Sequence, residues 1–244
     1  MSLHLVELPV EPAALHRWAG HRDLPGRGRD EGLVLHHLLT EVFGPGTLQP
    51  FRLMVAPRAR NATLYAYTAQ SADQLRTGAE ATIPPTASEV IALDRLRSLP
   101  RPVESWRAGM RLGFDLKARP VVRLLKPLEA GRETFSKGAE VDAFLAETVR
   151  NDQARPREAV YLDWLAARFG DAATLEPPVS RLASFQRTRI TRGGRSIEGP
   201  EAVFHGTLTV TDPVRFAEML ARGVGRHRAY GYGMLLLRPS QRRT

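Results

Sequence analysis

The chain of 244 residues is 43% hydrophobic and 25% charged, a composition that allows a substantial folded core. Its 35 lysines and arginines outnumber its 26 acidic residues, which gives a formal net charge of +9. The lack of cysteine excludes disulfides, thiolate metal sites and a cysteine nucleophile, and no apolar run of about 18 residues suggests a membrane span. The N-terminus shows no export signal, so we expect a cytoplasmic protein.

The first half of the sequence predicts alternating strands and helices. Strands are predicted at residues 3–8, 51–56 and 62–68, and helices at 30–43 and 71–78. Asp30 and Glu31 open the longer helix, and a Gly-Pro-Gly sequence at 44–46 stops it. Residues 20–29 are rich in glycine and arginine and predict a loop. Residues 83–102 hold several prolines, so we expect them to connect two domains.

The second half predicts the same kinds of element. Strands are predicted at residues 109–118, 121–125, 182–190, 203–210 and 234–237, and helices at 140–149, 157–169 and 213–223. Pro213 stands at the first turn of the last helix, where proline is favoured.

Both halves follow a roughly β-α-β-β-α-β order, which is the order of the ferredoxin-like fold. We therefore predict an α+β protein with two tandem ferredoxin-like (RRM-like) domains, at residues 1–105 and 106–244. No sequence repeat relates the two halves, so the duplication is inferred from the order of elements alone.

His36 is the first candidate for chemistry. The helix at 30–43 carries an apolar stripe of Leu35, Leu38, Leu39 and Val42. At roughly 100° per residue, His36 lies at the edge of this stripe, whereas His37 lies nearly opposite and faces solvent. Partial burial tunes an imidazole without closing access to it. A boundary histidine that only hydrogen-bonds the backbone would show the same pattern.

The second candidate is the segment at 222–233, which interleaves glycines with charged and aromatic residues. It contains Gly223, Gly225, Arg226, His227, Arg228, Gly231 and Gly233. Glycines permit close backbone approach and positive φ angles, so these residues suit contact with a phosphodiester backbone. The dinucleotide-binding spacing is absent, and the order is helix-loop-strand. A tight connection between helix and strand would have the same composition, and Tyr230 and Tyr232 could stack on bases or fill core.

The third candidate is a predicted hairpin that carries four arginines. Arg187 and Arg189 share one face of a strand, and Arg192 and Arg195 flank the turn. Guanidinium groups match the geometry of phosphates, and three basic features in one chain favour a nucleic-acid partner. The simpler alternatives are a solvated hairpin and an arginine-rich composition that follows from a GC-rich genome. No metal-binding or cofactor motif is present, so we expect neither group.

Five short segments, taken in order, carry a family resemblance. They are residues 35–43 (LHHLLTEVF), 114–120 (FDLKARP), 164–170 (WLAARFG), 204–210 (FHGTLTV) followed by Asp212, and 223–235 (GVGRHRAYGYGML). Together they span nearly the whole chain and resemble the CasE family of CRISPR RNA endoribonucleases from bacterial Cascade systems.

This resemblance implies two ferredoxin-like domains and a nuclease that cuts CRISPR precursor RNA at the 3′ base of each repeat hairpin. It implies that the protein keeps the product RNA and joins other Cascade subunits, and it places the family's catalytic histidine on His36. Family members often carry a tyrosine three positions earlier, where this chain has Leu33. Tyr230, His37 or an arginine could compensate for that change.

Two other functions stay open at this point. A catalytically inactive relative would bind the repeat hairpin without cutting it. A small-molecule enzyme or sensor on the same fold is disfavoured by the net charge. The low aromatic content of 7% and the lack of an RNA-recognition signature argue against an ordinary single-strand RNA-binding domain.

Overall fold

A computed structural model describes residues 2–22, 24, 30–56, 61–131, 133–151, 153, 155–192 and 195–240. The side chains of residues 191, 192, 195 and 196 are also outside this description. The helices are α1 (Pro12–Gly20), α2 (Glu31–Phe43), α3 (Ala72–Glu80), α4 (Pro85–Ser88), α5 (Ala143–Arg150), α6 (Arg157–Phe169) and α7 (Pro213–Arg222). None of these helices has the length and apolar character needed to cross a lipid bilayer.

The strands form two large antiparallel sheets and two small ones. They are β1 (His4–Val10), β2 (Phe51–Val55), β3 (Ala62–Thr68), β4 (Arg97–Pro100), β5 (Arg111–Ala118), β6 (Val121–Arg123), β7 (Leu128–Ala130), β8 (Glu133–Phe135), β9 (Glu140–Asp142), β10 (Ala173–Leu175), β11 (Arg181–Arg192), β12 (Arg195–Val210) and β13 (Leu235–Pro239). The two small sheets pair β6 with β9 and β7 with β8.

Both large sheets have the ferredoxin-like strand order. The first sheet runs β2-β3-β1-β4, and the second runs β10-β12-β5-β13 with β11 also paired to β12. In each, the first and third strands of the unit lie side by side in the centre, as the β-α-β-β-α-β order requires. The predicted α+β class with two tandem ferredoxin-like units is therefore confirmed. The exact division at residue 105 stays a prediction.

The predicted hairpin is longer than the sequence indicated. Strands β11 and β12 pair from Arg181 opposite His205 up to Arg192 opposite Arg195, whereas β5 pairs with β12 only from Ala202 to Thr209. The outer part of the hairpin therefore extends beyond β5 as a two-stranded arm.

Two of the predictions for local structure are wrong. Residues 83–102, predicted as a domain connection, contain β4, which pairs with β1 as the edge of the first sheet. Its proline and exposed Leu99 suit an edge strand. They also break the alternation of apolar and polar residues by which a strand is predicted from sequence. Helix α1 was not predicted, although Pro12 occupies its first turn and Glu11 caps the backbone N–H groups of Ala13 and Ala14.

The other wrong prediction is the start of the helix at 140–149, because residues 140–142 form β9 and the helix starts only at Ala143. Asp142 caps α5 by accepting a hydrogen bond from the backbone N–H of Phe144 at 2.8 Å. Most of the predicted loop at 20–29 lies outside the described residues.

Each large sheet packs one face against helices and builds its own core. In the first unit, the apolar stripe of α2 is fully buried against the sheet, as predicted. In the second unit, Phe114, Leu116 and Phe204 pack under α6 and α7. Helical and strand periodicity thus place the cores where the sequence indicated.

The opposite faces of the two sheets are joined by a buried ion pair. Arg52 on β2 contacts Asp115 on β5, and both residues are at least 90% buried. The Asp115 carboxylate also contacts His205 at 2.9 Å and Arg238 at 3.0 Å. A second link is the hydroxyl of Tyr67, which donates to the carbonyl oxygen of Leu235 at 3.1 Å. The relative position of the sheets therefore depends on polar contacts within an apolar junction.

We predict that Asp115→Ala lowers the free energy of unfolding by about 3–5 kcal/mol, because it leaves the buried Arg52 guanidinium without its carboxylate. Arg52→Met should cost less, because Asp115 keeps two other partners. Urea unfolding followed by circular dichroism measures both. Asp171→Ala, which removes a 79% exposed carboxylate from its contact with Arg215, is the matched control and should have little effect. Equal losses for Asp115→Ala and Asp171→Ala would contradict the prediction.

Candidate active site

Helix α2 positions His36. The Asp30 side chain accepts a hydrogen bond from the backbone N–H of Leu33 at 3.0 Å, which caps the helix at its start. Gly44, with a φ of +84°, ends the helix by turning the chain into a conformation that suits glycine. The helix thereby presents His36 at the edge of its buried face, half-buried as predicted, while His37 is exposed.

The His36 ring has two aromatic neighbours. The ring centroid of Tyr230 lies 5.4 Å away, and that of His37 lies 5.6 Å away. Partial burial, and to a lesser degree the nearby His37, lowers the pKa of His36. The imidazole is therefore neutral near pH 7 and can accept a proton.

Tyr230 reaches His36 because the loop at residues 223–233, here called the terminal loop, packs tightly on the first turn of α2. A Cβ atom added at Gly32 would lie 2.3 Å from the carbonyl oxygen of Tyr230. No L side chain fits in that space, so glycine at position 32 is a requirement of the contact. Gly32 could not be predicted as a contact residue, since nothing in the local pattern reveals a neighbour from the far end of the chain.

The glycines of the terminal loop mainly allow the loop's own backbone to turn and pack closely. Gly223, Gly225, Gly231 and Gly233 all have φ angles between +77° and +80°. A Cβ atom at Gly233 would lie 2.4 Å from the carbonyl oxygen of Val224, and Gly223 and Gly233 are buried. The predicted positive φ angles are thus present, and for the buried pair the geometry fits the alternative of a tight connection. Gly225 and Gly231 are half-buried.

The charged residues of this loop point in different directions. His227 has a left-handed backbone with a φ of 62°, and its ring is 2% exposed. Its Nε2 lies 2.8 Å from Glu140, whose other oxygen lies 2.7 Å from Nε of Arg226. Arg228 donates to the carbonyl oxygen of Arg222. The predicted role of His227 in contacting RNA therefore does not fit its burial, whereas Arg226 is 44% exposed.

The arginines of the hairpin share one acidic partner. Arg187 and Arg189 lie on the same face, as predicted, and their Nε atoms lie 2.9 and 3.2 Å from the two oxygens of Glu198. These hydrogen bonds, with that from Arg187 the stronger, lower the pKa of Glu198. Both arginines remain mostly exposed, with side chains 57% and 75% accessible. The patch is thus basic but partly neutralised, which the sequence analysis missed.

Two predicted residues of the hairpin cannot be placed fully. Arg192 and Arg195 pair with each other across the end of the hairpin through their backbones. Their side chains, and Gly193 and Gly194 between them, lie outside the described residues.

A buried polar cluster ties the hairpin to the terminal loop. Glu201 on β12 accepts hydrogen bonds from Tyr232 at 2.6 Å and from Gln186 at 2.7 Å, and Lys117 lies 3.1 Å away. Burial alone would raise the pKa of Glu201, but Lys117 and the two hydrogen bonds lower it. Burial and Glu201 raise the pKa of Tyr232 to about 12, so its hydroxyl stays protonated and structural.

A cleft of about 120 Å³ lies where α2, the terminal loop and the hairpin meet. Its lining includes Gly32, Lys117, Arg189, Tyr230 and Gly231. The structure thus brings three separately predicted features together, with His36 one turn along α2. Within the described part of the chain, no three histidine or carboxylate side chains converge as metal ligands would. The arrangement places a neutral imidazole against Tyr230, which lines a narrow cleft bordered by three basic side chains and by the carboxylates of Asp30 and Glu31.

A family model described as "CRISPR associated protein" matches residues 3–239, which is almost the whole chain. No curated protein matches.

Several solved structures share the fold. The CRISPR endoribonuclease Cse3 bound to a 19-nucleotide RNA has a TM-score of 0.63 at 20% identity, covering 98% of this chain and 100% of that one. Cas6e from Escherichia coli str. K-12 has a TM-score of 0.60 at 20% identity, covering 97% and 99%. A chain of a CRISPR RNA-guided surveillance complex has a TM-score of 0.54 at 19% identity, covering 96% and 98%. At these identities the likeness shows the fold.

We predict that Gly32→Ala disrupts the contact between α2 and the terminal loop. Alanine stabilises an exposed helix position by about 1 kcal/mol over glycine, but here its Cβ would overlap the Tyr230 carbonyl. The matched control is Gly78→Ala on α3, where a Cβ would meet nothing within 4 Å. Urea unfolding should show Gly32→Ala destabilised and Gly78→Ala stabilised. A gain of stability in both variants would contradict the close approach.

Proposed function

Since this chain belongs to the CRISPR-associated protein family, we propose that it is a metal-independent endoribonuclease that cuts CRISPR precursor RNA at the 3′ base of the repeat hairpin. The observation that carries the proposal is the half-buried His36 ring, with a lowered pKa, in contact with Tyr230 beside a cleft that Arg189 lines. That combination provides a proton acceptor, an aromatic neighbour and a cation for a phosphate.

The reaction needs no group other than the RNA and side chains. The ribose 2′-oxygen attacks the adjacent phosphorus, a bond forms between them, and the bond from phosphorus to the 5′-oxygen of the next nucleotide breaks. The products are a 2′,3′-cyclic phosphate and a 5′-hydroxyl. His36 takes the proton of the 2′-hydroxyl, a role typically worth about 10²–10⁴-fold in rate.

The lowered pKa of His36 supports one of the two roles that the sequence left open. A general acid must be protonated before the reaction, whereas a general base must be neutral. In the free protein near pH 7 the imidazole is neutral, which favours the base. The leaving 5′-oxygen then receives its proton from another donor or from water.

Tyr230 takes the place of the tyrosine expected at Leu33. Leu33 is buried, with 6% of its surface exposed, so it belongs to the core of α2. The Tyr230 ring approaches His36 from the terminal loop instead. We infer that Tyr230 restricts the orientation of the imidazole and borders the scissile nucleotide.

Recognition of the hairpin rests on shape and phosphates, because A-form RNA hides the edges of its bases in a deep major groove. The projecting arm carries Arg187 and Arg189 on one exposed face, which suits contact with both sides of a groove. Arg226 and Arg228 extend the cationic surface along the terminal loop. His227 and the buried glycines Gly223 and Gly233 support that loop from within.

Retention of the product RNA in a Cascade-like complex is part of the proposal. Its support is the shared fold with a chain of a CRISPR RNA-guided surveillance complex. The alternative is an inactive subunit that binds the hairpin without cutting it, which the leucine at position 33 favours. A cleavage assay separates the two.

We predict that His36→Ala binds a repeat hairpin RNA with unchanged affinity and cuts it at least about 10²-fold more slowly, since only the proton acceptor is lost. The neighbouring His37→Ala is the matched control and should cut at close to the normal rate. Single-turnover cleavage on gels measures the rate, and filter binding measures the affinity.

The same assay tests the chemistry. Cleavage should continue in EDTA and should stop when the sugar at the cut site is 2′-deoxy. The rate should rise with pH, level off above an inflection below about 6.5, and stay level. A rate that falls above that inflection would make His36 the acid. Normal cleavage by His36→Ala would end its catalytic assignment.

We predict that Glu198→Gln tightens binding of hairpin RNA severalfold at low salt, because it removes the carboxylate that partly neutralises Arg187 and Arg189. The slope of log K against log salt should steepen by up to about one unit. Glu129→Gln, at an exposed position on β7, is the charge-matched control and should change neither quantity. Weaker binding by Glu198→Gln would show that the carboxylate orients the arginines rather than masking them.

A further inference from the structure

A second cavity, of about 370 Å³, opens on the second large sheet where β11 begins and β13 ends. None of its lining residues lines the cleft beside α2. Two of its lining residues are glycines that pack closely on their neighbours. A Cβ atom at Gly113 would lie 2.7 Å from the carbonyl oxygen of Pro239, and one at Gly206 would lie 2.3 Å from Oγ of Ser180. We call this cavity the second-sheet pocket.

Three basic side chains border the second-sheet pocket: Arg181, His205 and Arg238. Arg181 and His205 are direct partners in the β11–β12 ladder, so they point to the same face. The side chains of His205 and Arg238 are 35% and 46% exposed. The described residues that line the pocket include no carboxylate. The pocket therefore presents an excess of positive charge to solvent.

One carboxylate, that of Asp115, contacts two of these side chains and is shared with a third cation. Its Oδ1 contacts Arg52, and its Oδ2 contacts both His205 and Arg238. One negative charge thus holds two arginines and a histidine. Arg238 uses Nη2 for Asp115 and for the carbonyl oxygen of Phe114, which leaves Nε and Nη1 for a ligand. The geometry fixes these donors while leaving their charge incompletely compensated.

The other wall of the pocket is apolar. It is formed by Pro178, Val179 and Pro239. A ligand that fits both walls must carry an anion at one end and a flat, weakly polar group at the other. The volume lies within the range of roughly 300–1,000 Å³ typical of small-molecule sites.

We propose that the second-sheet pocket binds the phosphate of a nucleotide, with Arg181 and Arg238 on the phosphate and the base against the proline-valine wall. The nucleotide is either free or one unit of single-stranded RNA, since both have the same chemistry. This site is separate from the proposed cleavage site, because none of its lining residues lines the cleft beside α2.

Titration calorimetry on the full chain tests the proposal, with uridine monophosphate, uridine, inorganic phosphate and a short oligouridine as probes. Uridine monophosphate should bind more tightly than either uridine or phosphate. Arg181→Met and Arg238→Lys should each weaken that binding by about tenfold or more, the usual cost of a lost charged hydrogen bond. Arg107→Met, at an exposed position outside the pocket, is the control and should bind normally.

Tighter binding of oligouridine than of the mononucleotide would assign the site to an RNA strand, and equal affinity would assign it to a free nucleotide. Equal affinity for phosphate and uridine monophosphate would overturn the nucleotide assignment. Unchanged affinity in Arg181→Met would overturn the pocket itself. Arg181→Met should still cut hairpin RNA, and His36→Ala should still bind uridine monophosphate, so failure of one proposal is distinguishable from failure of the other.

Discussion

The close approach between the first turn of α2 and the terminal loop is the constraint on which the candidate site depends. Because Gly32 has no side chain, the Tyr230 carbonyl can pack directly on the helix. The Tyr230 ring is then carried to the His36 ring, although the two residues come from opposite ends of the chain. Without that contact, α2 would present a histidine at the edge of a helix and nothing more.

The hairpin is held to the same place by different means. The Glu201 cluster links β12 and β5 to the terminal loop through Lys117 and Tyr232. Arg119, which is 1% exposed, donates to Thr188 on β11 and lies 5.6 Å from the Tyr232 ring. These hydrogen bonds restrict the geometry of the cluster, although the buried Nε of Arg119 has no partner among the described residues. The basic arm, the loop and α2 therefore form one positioned unit rather than three mobile ones.

Much of this arrangement could be predicted from the sequence, and the rest could not for physical reasons. Periodicity located the buried stripe of α2, the edge position of His36 and the shared face of Arg187 and Arg189. It missed β4, because an edge strand with prolines lacks regular alternation. It also missed Glu140, whose contact buries His227, since local patterns carry no information about a distant partner. The contact of Glu198 with the arginines could have been predicted by counting outward along both strands from the hairpin turn, because Glu198 pairs with Arg189 in register.

The projecting arm has a further consequence for self-association of the protein. Beyond β5, the outer edge of β11 has backbone groups that no neighbouring strand covers in the described structure. Such an edge can recruit a strand from another molecule and start aggregation, and long charged side chains are a common protection against it. Arg187 and Arg189 stand on that edge strand, so the residues that we propose to contact RNA are also placed to oppose such pairing. Removing their charge would therefore be expected both to weaken binding of RNA and to increase aggregation of the protein.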